Sequence, residues 1–230
     1  MNRLTALQVF ALRKSRQYFK KYYREKDLER LANRNAVIVS KNCWGGSVYQ
    51  HLDLPYNTPF VGLFLTAPDY IKMLQRFEYY MAQPLRFVGE SKYDTGLTEK
   101  YPIGMLDDVE IHFQHYKDEA ECRTKWNRRK ERMLKNLDYN NFYFTMCDRR
   151  GGTPELLRAF HELPFQNKIS FGLNKIEGLS NLQHIQVHQW PRDKRQAVHN
   201  GRKLFKLTFL YLDLVHWFNT EKVLRTRFKD

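Results

Sequence analysis

A cysteine beside a pair of glycines is where this chain sets a reactive side chain on a permissive backbone: Asn42-Cys43-Trp44-Gly45-Gly46. The apolar run Val37-Ile38-Val39 leads into it through Ser40 and Lys41. That order reads as a buried strand ending in a tight turn. A thiol at such a turn can be activated by a helix N-terminus and a nearby imidazole. The amides of Gly45 and Gly46 can hold an acyl oxyanion or a phosphate, and Asn42 adds a side-chain amide. Candidate bases are His112 and His115, with Asp108 to orient one of them. Trp44, Tyr49 and Tyr116 are candidate substrate contacts around this set. In outline this is a nucleophile, a base and an orienter. The opposing reading is that free cysteine is among the most buried residue types and usually packs inertly. On that reading the Asn42–Gly46 backbone is a binding floor and the thiol only lines it. The two histidines have a metal-like spacing, but no third ligand accompanies them, so no metal is assigned.

Two further stretches carry charge that could meet a substrate. Arg123, Lys125, Arg128, Arg129 and Arg132 wind around one helical segment. Guanidinium forks suit diphosphates and carboxylates, and Arg128 and Arg129 are the candidates for that role. A solvated basic face accounts for most of the others. The loop Asp148-Arg-Arg-Gly-Gly152 could bind a sugar hydroxyl through Asp148, against the default of a turn aspartate.

The elements that must position these residues follow from periodicity. Residues 3–32 read as one basic amphipathic helix, with Leu4, Leu7, Phe10, Phe19, Tyr22 and Tyr23 on its apolar side. Val37–Val39 and Phe60–Leu65 read as strands buried on both faces, because neither alternates. A short helix is expected at Ser47–Leu52 and another opening at Ala67-Pro68 and closed by Pro84. Leu85–Val88 and Val109–Phe113 read as strands; in the latter Val109, Ile111 and Phe113 share one face and Glu110 and His112 the other. A helix opens at Asp118 and runs to about Lys135, with acids in its first turn as the helix dipole prefers. Asn141–Cys147 and Lys168–Gly172 are strands, Thr153 caps a helix Pro154–Leu163, and Leu204–Phe218 is a closing helix. Residues 89–100 read as a loop or edge hairpin; 173–200 are polar, with a short strand near Ile185–Val187. Strands alternating with helices predict an α/β fold: a mixed or mostly parallel sheet with helices on both faces, plus the N-terminal helix. The division is a basic helix over 1–34 and a single α/β domain over 35–230. In such sheets ligands bind beyond the carboxyl ends of the strands.

The 230 residues suffice for one large domain with a sizeable core, and 42% hydrophobic content excludes a disordered chain. No run of apolar residues is long enough to span a bilayer. Three widely spaced cysteines do not make a disulfide framework and suit a reducing cytoplasm. The net charge of +14 is concentrated at the ends: residues 1–34 hold ten Lys/Arg against three acids, and 192–230 ten against four. Basic ends of this kind meet anionic lipid, phosphorylated small molecules or nucleic acid. Nucleic acid is the least expected, because the interleaved aromatics fall at helical spacing and read as core.

Three long motifs carry a resemblance. The first is Asn42-Cys43-Trp44-Gly45-Gly46…Tyr49…Leu52 with Tyr56-x-x-Pro59; the second is Tyr101-Pro-x-Gly104…Leu106-x-Asp108-x-x-Ile111-His112-Phe113-x-His115-Tyr116. The third is Lys125-Trp126-x-Arg128-Arg129-x-x-Arg132, followed by the Asn141…Asp148 strand and loop. Together, over residues 36–172, they resemble an uncharacterised bacterial domain-of-unknown-function family commonly labelled as exopolysaccharide or capsular polysaccharide biosynthesis proteins. The strand–turn opening is also similar, over a few residues, to the Gly-Asp-Ser-type esterases and acyltransferases, with cysteine in the serine's place. The family label implies surface-glycan assembly and supplies no catalytic residues. The expectation is therefore a transferase acting on a sugar or lipid-linked glycan, in the cytoplasm or peripheral to the inner membrane through residues 3–26. Acyl transfer from a donor such as acyl-coenzyme A, through Cys43 and a histidine, is one form. Glycosyl or phosphosugar transfer from a nucleotide-sugar donor is the second, and a non-catalytic scaffold the third.

Overall fold

A computed structural model describes residues 3–94, 100–135, 137–188 and 197–226, with side chains from residue 7 onward. The expectations for 89–100 and 173–200 thus lie partly outside the described residues, at 95–99 and 189–196. In chain order the helices are α1 (Arg3–Tyr18), α2 (Lys20–Arg30), α3 (Trp44–His51), α4 (Ala67–Gln75), α5 (Phe77–Ala82), α6 (Glu119–Lys135), α7 (Pro154–Glu162), α8 (Gly201–Thr208) and α9 (Leu214–Thr220). The strands are β1 (Val37–Ser40), β2 (Leu85–Val88), β3 (Ile103–Leu106), β4 (Val109–His112), β5 (Phe142–Cys147), β6 (Asn167–Gly172) and β7 (His184–Gln186).

The uninterrupted apolar strands form a parallel sheet in the order β1-β5-β6-β7, with Val37 opposite Phe142 and Ser40 opposite Thr145 at its first pairing. Every residue of β1 and β5 is buried, as a sheet covered on both faces requires. Alternation then divides the sheet between two cores. Val37, Val39, Phe142, Phe144 and Met146 enter one core with α4, α5, α6 and α7. Ile38, Tyr143, Phe171 and Ile185 enter the other with α3, α8 and α9, and Val9 and Leu31 from the N-terminal helices join it. The α/β class with helices on both faces is thus realised, together with a second sheet.

That second sheet is antiparallel, in the order β2-β3-β4. Val109–Phe113 belongs there and not beside β1. Its partner β3 falls in the Tyr101–Asp108 stretch that reads as an approach to the strand. The two are joined through Asp107, which holds φ 52° at the turn. Phe60–Leu65 is not a strand. Gly62 sits at φ 77° and breaks the extended run, so only Phe64 pairs, by a bridge to His112. Three long helical readings each divide in two. The N-terminal helix breaks at Phe19, and the bend lets Arg16 reach Asp27 at 2.8 Å. The 67–83 helix breaks at Arg76 (φ −135°), and the closing helix separates into α8 and α9 where Leu212 bridges Arg225. Apolar periodicity runs through each break because both halves face the same core.

Candidate functional site

The site is built from β1 outward. Ser40 is the last strand residue, and Lys41 turns inward at 1% exposure. Its Nζ donates to the carbonyls of Cys147 (3.0 Å) and Arg149 (2.6 Å), fastening the end of β1 to the loop after β5. Burial pushes its pKa down, against the pull of the Cys147 and Asp148 charges. Asn42 Oδ1 accepts the Trp44 N–H at 2.9 Å, and its Nδ2 donates to Cys147 Sγ at 3.3 Å. This side-chain turn starts α3 at Trp44, ahead of the expected start at Ser47. Gly45 and Gly46 therefore lie inside the first helical turn, and not in a loop. Gly45 allows a close approach to β1: a Cβ there would sit 3.0 Å from Ser40 Cβ and 3.1 Å from Ile38 Cγ2, so those side chains would have to give way.

Cys43 occupies the N-cap of α3 and is half-buried, its Sγ 4.0 Å from the Leu63 carbonyl. Burial pushes the thiol pKa up, and the charges of Arg202 and Arg150 oppose that shift. A second helix start lies directly on this turn. A Cβ on Gly201 would be 2.4 Å from the Trp44 nitrogen and 2.5 Å from Asn42 Oδ1, so α8 begins against the first turn of α3. Arg202, the next residue, is exposed.

The loop after β5 completes the edge. Asp148 is mostly buried, and its two carboxylate oxygens accept the N–H groups of Val198 and Leu173, each at 2.8 Å. Burial raises its pKa while those two bonds lower it. Arg149 donates from Nη1 to the Val198 carbonyl at 3.2 Å. Arg150, at φ 57°, lays its guanidinium 3.5 Å from the centre of the Phe64 ring. The other neighbour of Phe64 is His112, stacked at 4.2 Å between centroids and 5° between planes.

His112 is fully buried. Its Nδ1 lies 3.1 Å from Tyr101 Oη, and its Nε2 2.8 Å from Glu110 Oε1, close enough for an ion pair but off the hydrogen-bond axis. Burial depresses its pKa to about 4, with Arg150 adding to the shift and Glu110 opposing it. At neutral pH the ring is uncharged. Glu110 in turn accepts from Ser91 Oγ (2.5 Å) and the Lys92 N–H (2.9 Å), while Asp69 accepts from the Glu110 N–H at 2.7 Å.

The structure thus brings Asn42, Cys43, Gly45, Gly46 and Asp148 to the carboxyl edge of the parallel sheet, with His112 approaching through Phe64 and Arg150. Other candidates stand elsewhere. Asp108 lies in the β3–β4 turn, where Lys72 (2.7 Å) and Tyr80 (2.9 Å) take its carboxylate; the carboxylate beside His112 is that of Glu110. His115 is exposed after β4, with its N–H on the Gly62 carbonyl. Tyr49 Oη sits between Ile38 N and Ala36 O, at the amino end of β1. Trp44 is 1% exposed and donates from Nε1 to Thr208 Oγ1. Arg129 is buried, donating to Tyr116 Oη at 2.8 Å and covering the Tyr56 ring, while Tyr116 donates to the Val61 carbonyl. Arg128 is exposed on α6. Sequence reasoning missed Lys41, Glu110, Tyr101 and Arg202 as site residues. Glu110 was legible, standing two residues before His112 on one strand face. Arg202 had no local signal, since only the packing of α8 on α3 brings it to Cys43. Among the described residues no group of three His, Cys, Asp or Glu side chains is placed to hold a metal ion.

Fold and edge together define an α/β protein whose short parallel sheet carries a basic, thiol-bearing candidate site at its carboxyl ends. Residues 14–219 match the family described as Domain of unknown function (DUF1919), and the chain belongs to that family. A protein of Haemophilus influenzae, described as an uncharacterized protein, is 33% identical over 204 residues, covering 86% of this chain and 92% of that one. The match reaches well beyond the 36–172 span of the sequence motifs. It takes in the end of α1, all of α2 and α8, and nearly all of α9.

Proposed function

We propose that this protein is a transferase of bacterial surface-polysaccharide assembly that binds a phosphorylated sugar, carried on a nucleotide or a lipid, at the carboxyl edge of its parallel sheet. One observation carries the reading: Arg202 at the start of α8 and Arg150 on the loop after β5 both bring their charge to the Cys43 turn, where α3 also begins. Guanidinium forks and helix N-termini are complementary to phosphate oxygens. Transfer of a phosphosugar is mostly a matter of positioning and charge stabilisation, which such an edge can supply. The surface-glycan setting comes from the resemblance of the motifs.

Acyl transfer through Cys43 is the second reading. It is favoured by the half-buried thiol at a helix N-cap beside two arginines. Against it, burial raises the thiol pKa, and both ring nitrogens of His112 face other partners. A thermal-shift comparison of nucleotide-sugars, undecaprenyl-type lipid phosphates and acyl-coenzyme A separates the two. We expect stabilisation by a phosphorylated sugar donor or acceptor, weakened about tenfold in affinity by Arg202→Glu, as loss of one charge-assisted contact implies. Stabilisation by acyl-coenzyme A, with loss of transfer in both Cys43→Ser and Cys43→Ala proteins, would overturn it in favour of the thiol.

A further inference from the structure

The N-terminal helices carry a feature that the edge site does not use. α1 and α2 each turn one side to the domain. Val9 is buried there, Arg16 pairs with Asp27 at 2.8 Å and covers the Phe209 ring, and Asp27 also meets His51 Nε2 at 2.8 Å. The opposite side meets solvent with large apolar groups: Leu7 is 66% exposed, Phe10 47%, Tyr18 85% and Tyr22 56%. On the wheel of α1, Leu7, Phe10, Lys14 and Tyr18 fall on one arc, across from Val9, Leu12 and Arg16. Single exposed apolar residues need no explanation, but aromatics clustered on one arc do.

We infer that this outer face docks on a membrane surface of anionic phospholipid. Charge complementarity selects lipid over a protein partner. Lys14 lies on that arc with its ammonium 5.8 Å from the centre of the Phe10 ring, and neither it nor the exposed Lys20 pairs with an acid among the described residues. Of the acids of this region, Asp27 turns inward to Arg16 and His51, while Glu25 is matched by Lys21 at 3.9 Å and Glu29 by Lys26 at 2.8 Å, which leaves the bases in excess. Amphipathic aromatics with lysines interleaved suit the headgroup boundary, where tyrosine keeps its hydroxyl wet and lysine reaches the phosphates. The inference is independent of the reaction proposed for the edge site.

Co-sedimentation of the full-length protein with vesicles tests it. Phosphatidylcholine vesicles should leave it in the supernatant, and vesicles with phosphatidylglycerol added should carry it down, less so as salt rises. Lys14→Gln/Lys20→Gln should lower partitioning about thirtyfold, because each basic residue near an anionic surface contributes about fivefold. Phe10→Ser/Tyr22→Ser should lower it about tenfold at unchanged salt dependence. Circular dichroism and melting temperature should match wild type in both, since these side chains are exposed. Recovery of wild type in the supernatant with both vesicle types overturns the inference. So does a monomer–dimer equilibrium abolished by the aromatic pair alone, or salt-dependent DNA binding that the lysine pair abolishes and the aromatic pair does not.

Discussion

His112 shows how far a side chain's type falls short of its role. As a residue it reads as a base, and the fold instead gives it zero exposure, a Phe64 ring on one face and partners at both nitrogens. A pKa of about 4 in the folded chain against an ordinary value near 6.5 has a definite consequence. Between these values the unfolded chain binds the extra proton, so stability falls as pH drops through that window and is fully present above it. The ceiling for this one group is about 3 kcal/mol at the 1.36 kcal/mol each pKa unit is worth. His161, depressed by burial to about 3, and His184 act in the same direction. Urea unfolding at pH 7 and at pH 4.5 should therefore show a clear loss of stability at the lower pH. His112→Gln should reduce that loss while lowering stability at pH 7. An unchanged pH dependence in the variant would show that His112 is not buried neutral. The placement of Cys43 at the end of β1 was legible because a turn signal surrounded it. The Tyr101 partner of His112 was not, because it meets the ring only through the β3–β4 pairing that an unexpected strand created.

At the scale of elements, the parallel strands were readable because their apolar runs do not alternate, and α6 and α7 because their first turns carry acids and a Thr153 cap. Starts and breaks were harder. The Gly45-Gly46 pair looks like a turn, yet Asn42 begins the helix ahead of it; Gly45 packs closely on Ile38 and Ser40 of β1, and Gly46 faces Val61. Phe60–Leu65 has strand composition and fails as a strand at Gly62. The contact of α8 with α3 offers a direct check. Gly201→Ala places a methyl 2.4 Å from a backbone nitrogen that α3 cannot move without losing its Asn42 cap. We expect a loss of about 1–3 kcal/mol by denaturant titration, as overpacking of a close contact usually gives. Gly89→Ala, with nothing within 4 Å of the added carbon, should be within about 0.5 kcal/mol of wild type. Equal effects at the two sites would mean the α3–α8 contact is not tight.

At the scale of the molecule, the basic ends of the chain have different destinations. The first thirty-four residues supply an outward lysine–aromatic face, and the closing segment sends Arg202 to the edge. α3 separates the two regions. His51 at its last turn touches the N-terminal helices, and Cys43 at its first faces the edge, about 12 Å away at 1.5 Å per residue. No described helix is long and apolar enough to cross a membrane. Charge asymmetry was visible in the sequence; where each basic end lies was not, because that depends on where two distant segments dock. The edge has one more property, and it lies with Asp148. A single carboxylate holds the segment after β6 through Leu173 and the segment before α8 through Val198. Three stretches of chain far apart in sequence are clasped by two bonds, so they should open as one unit and not one by one. In Asp148→Asn one of the two acceptors becomes a donor. Hydrogen exchange at the Leu173 and Val198 amides should then accelerate together by about tenfold or more, with Val39 and Phe144 in the sheet unchanged. Separate responses at the two amides would show that the clasp is not shared. A ligand entering this edge would therefore meet a rim whose looseness is set by one side chain, so occupancy and rim order should rise and fall together.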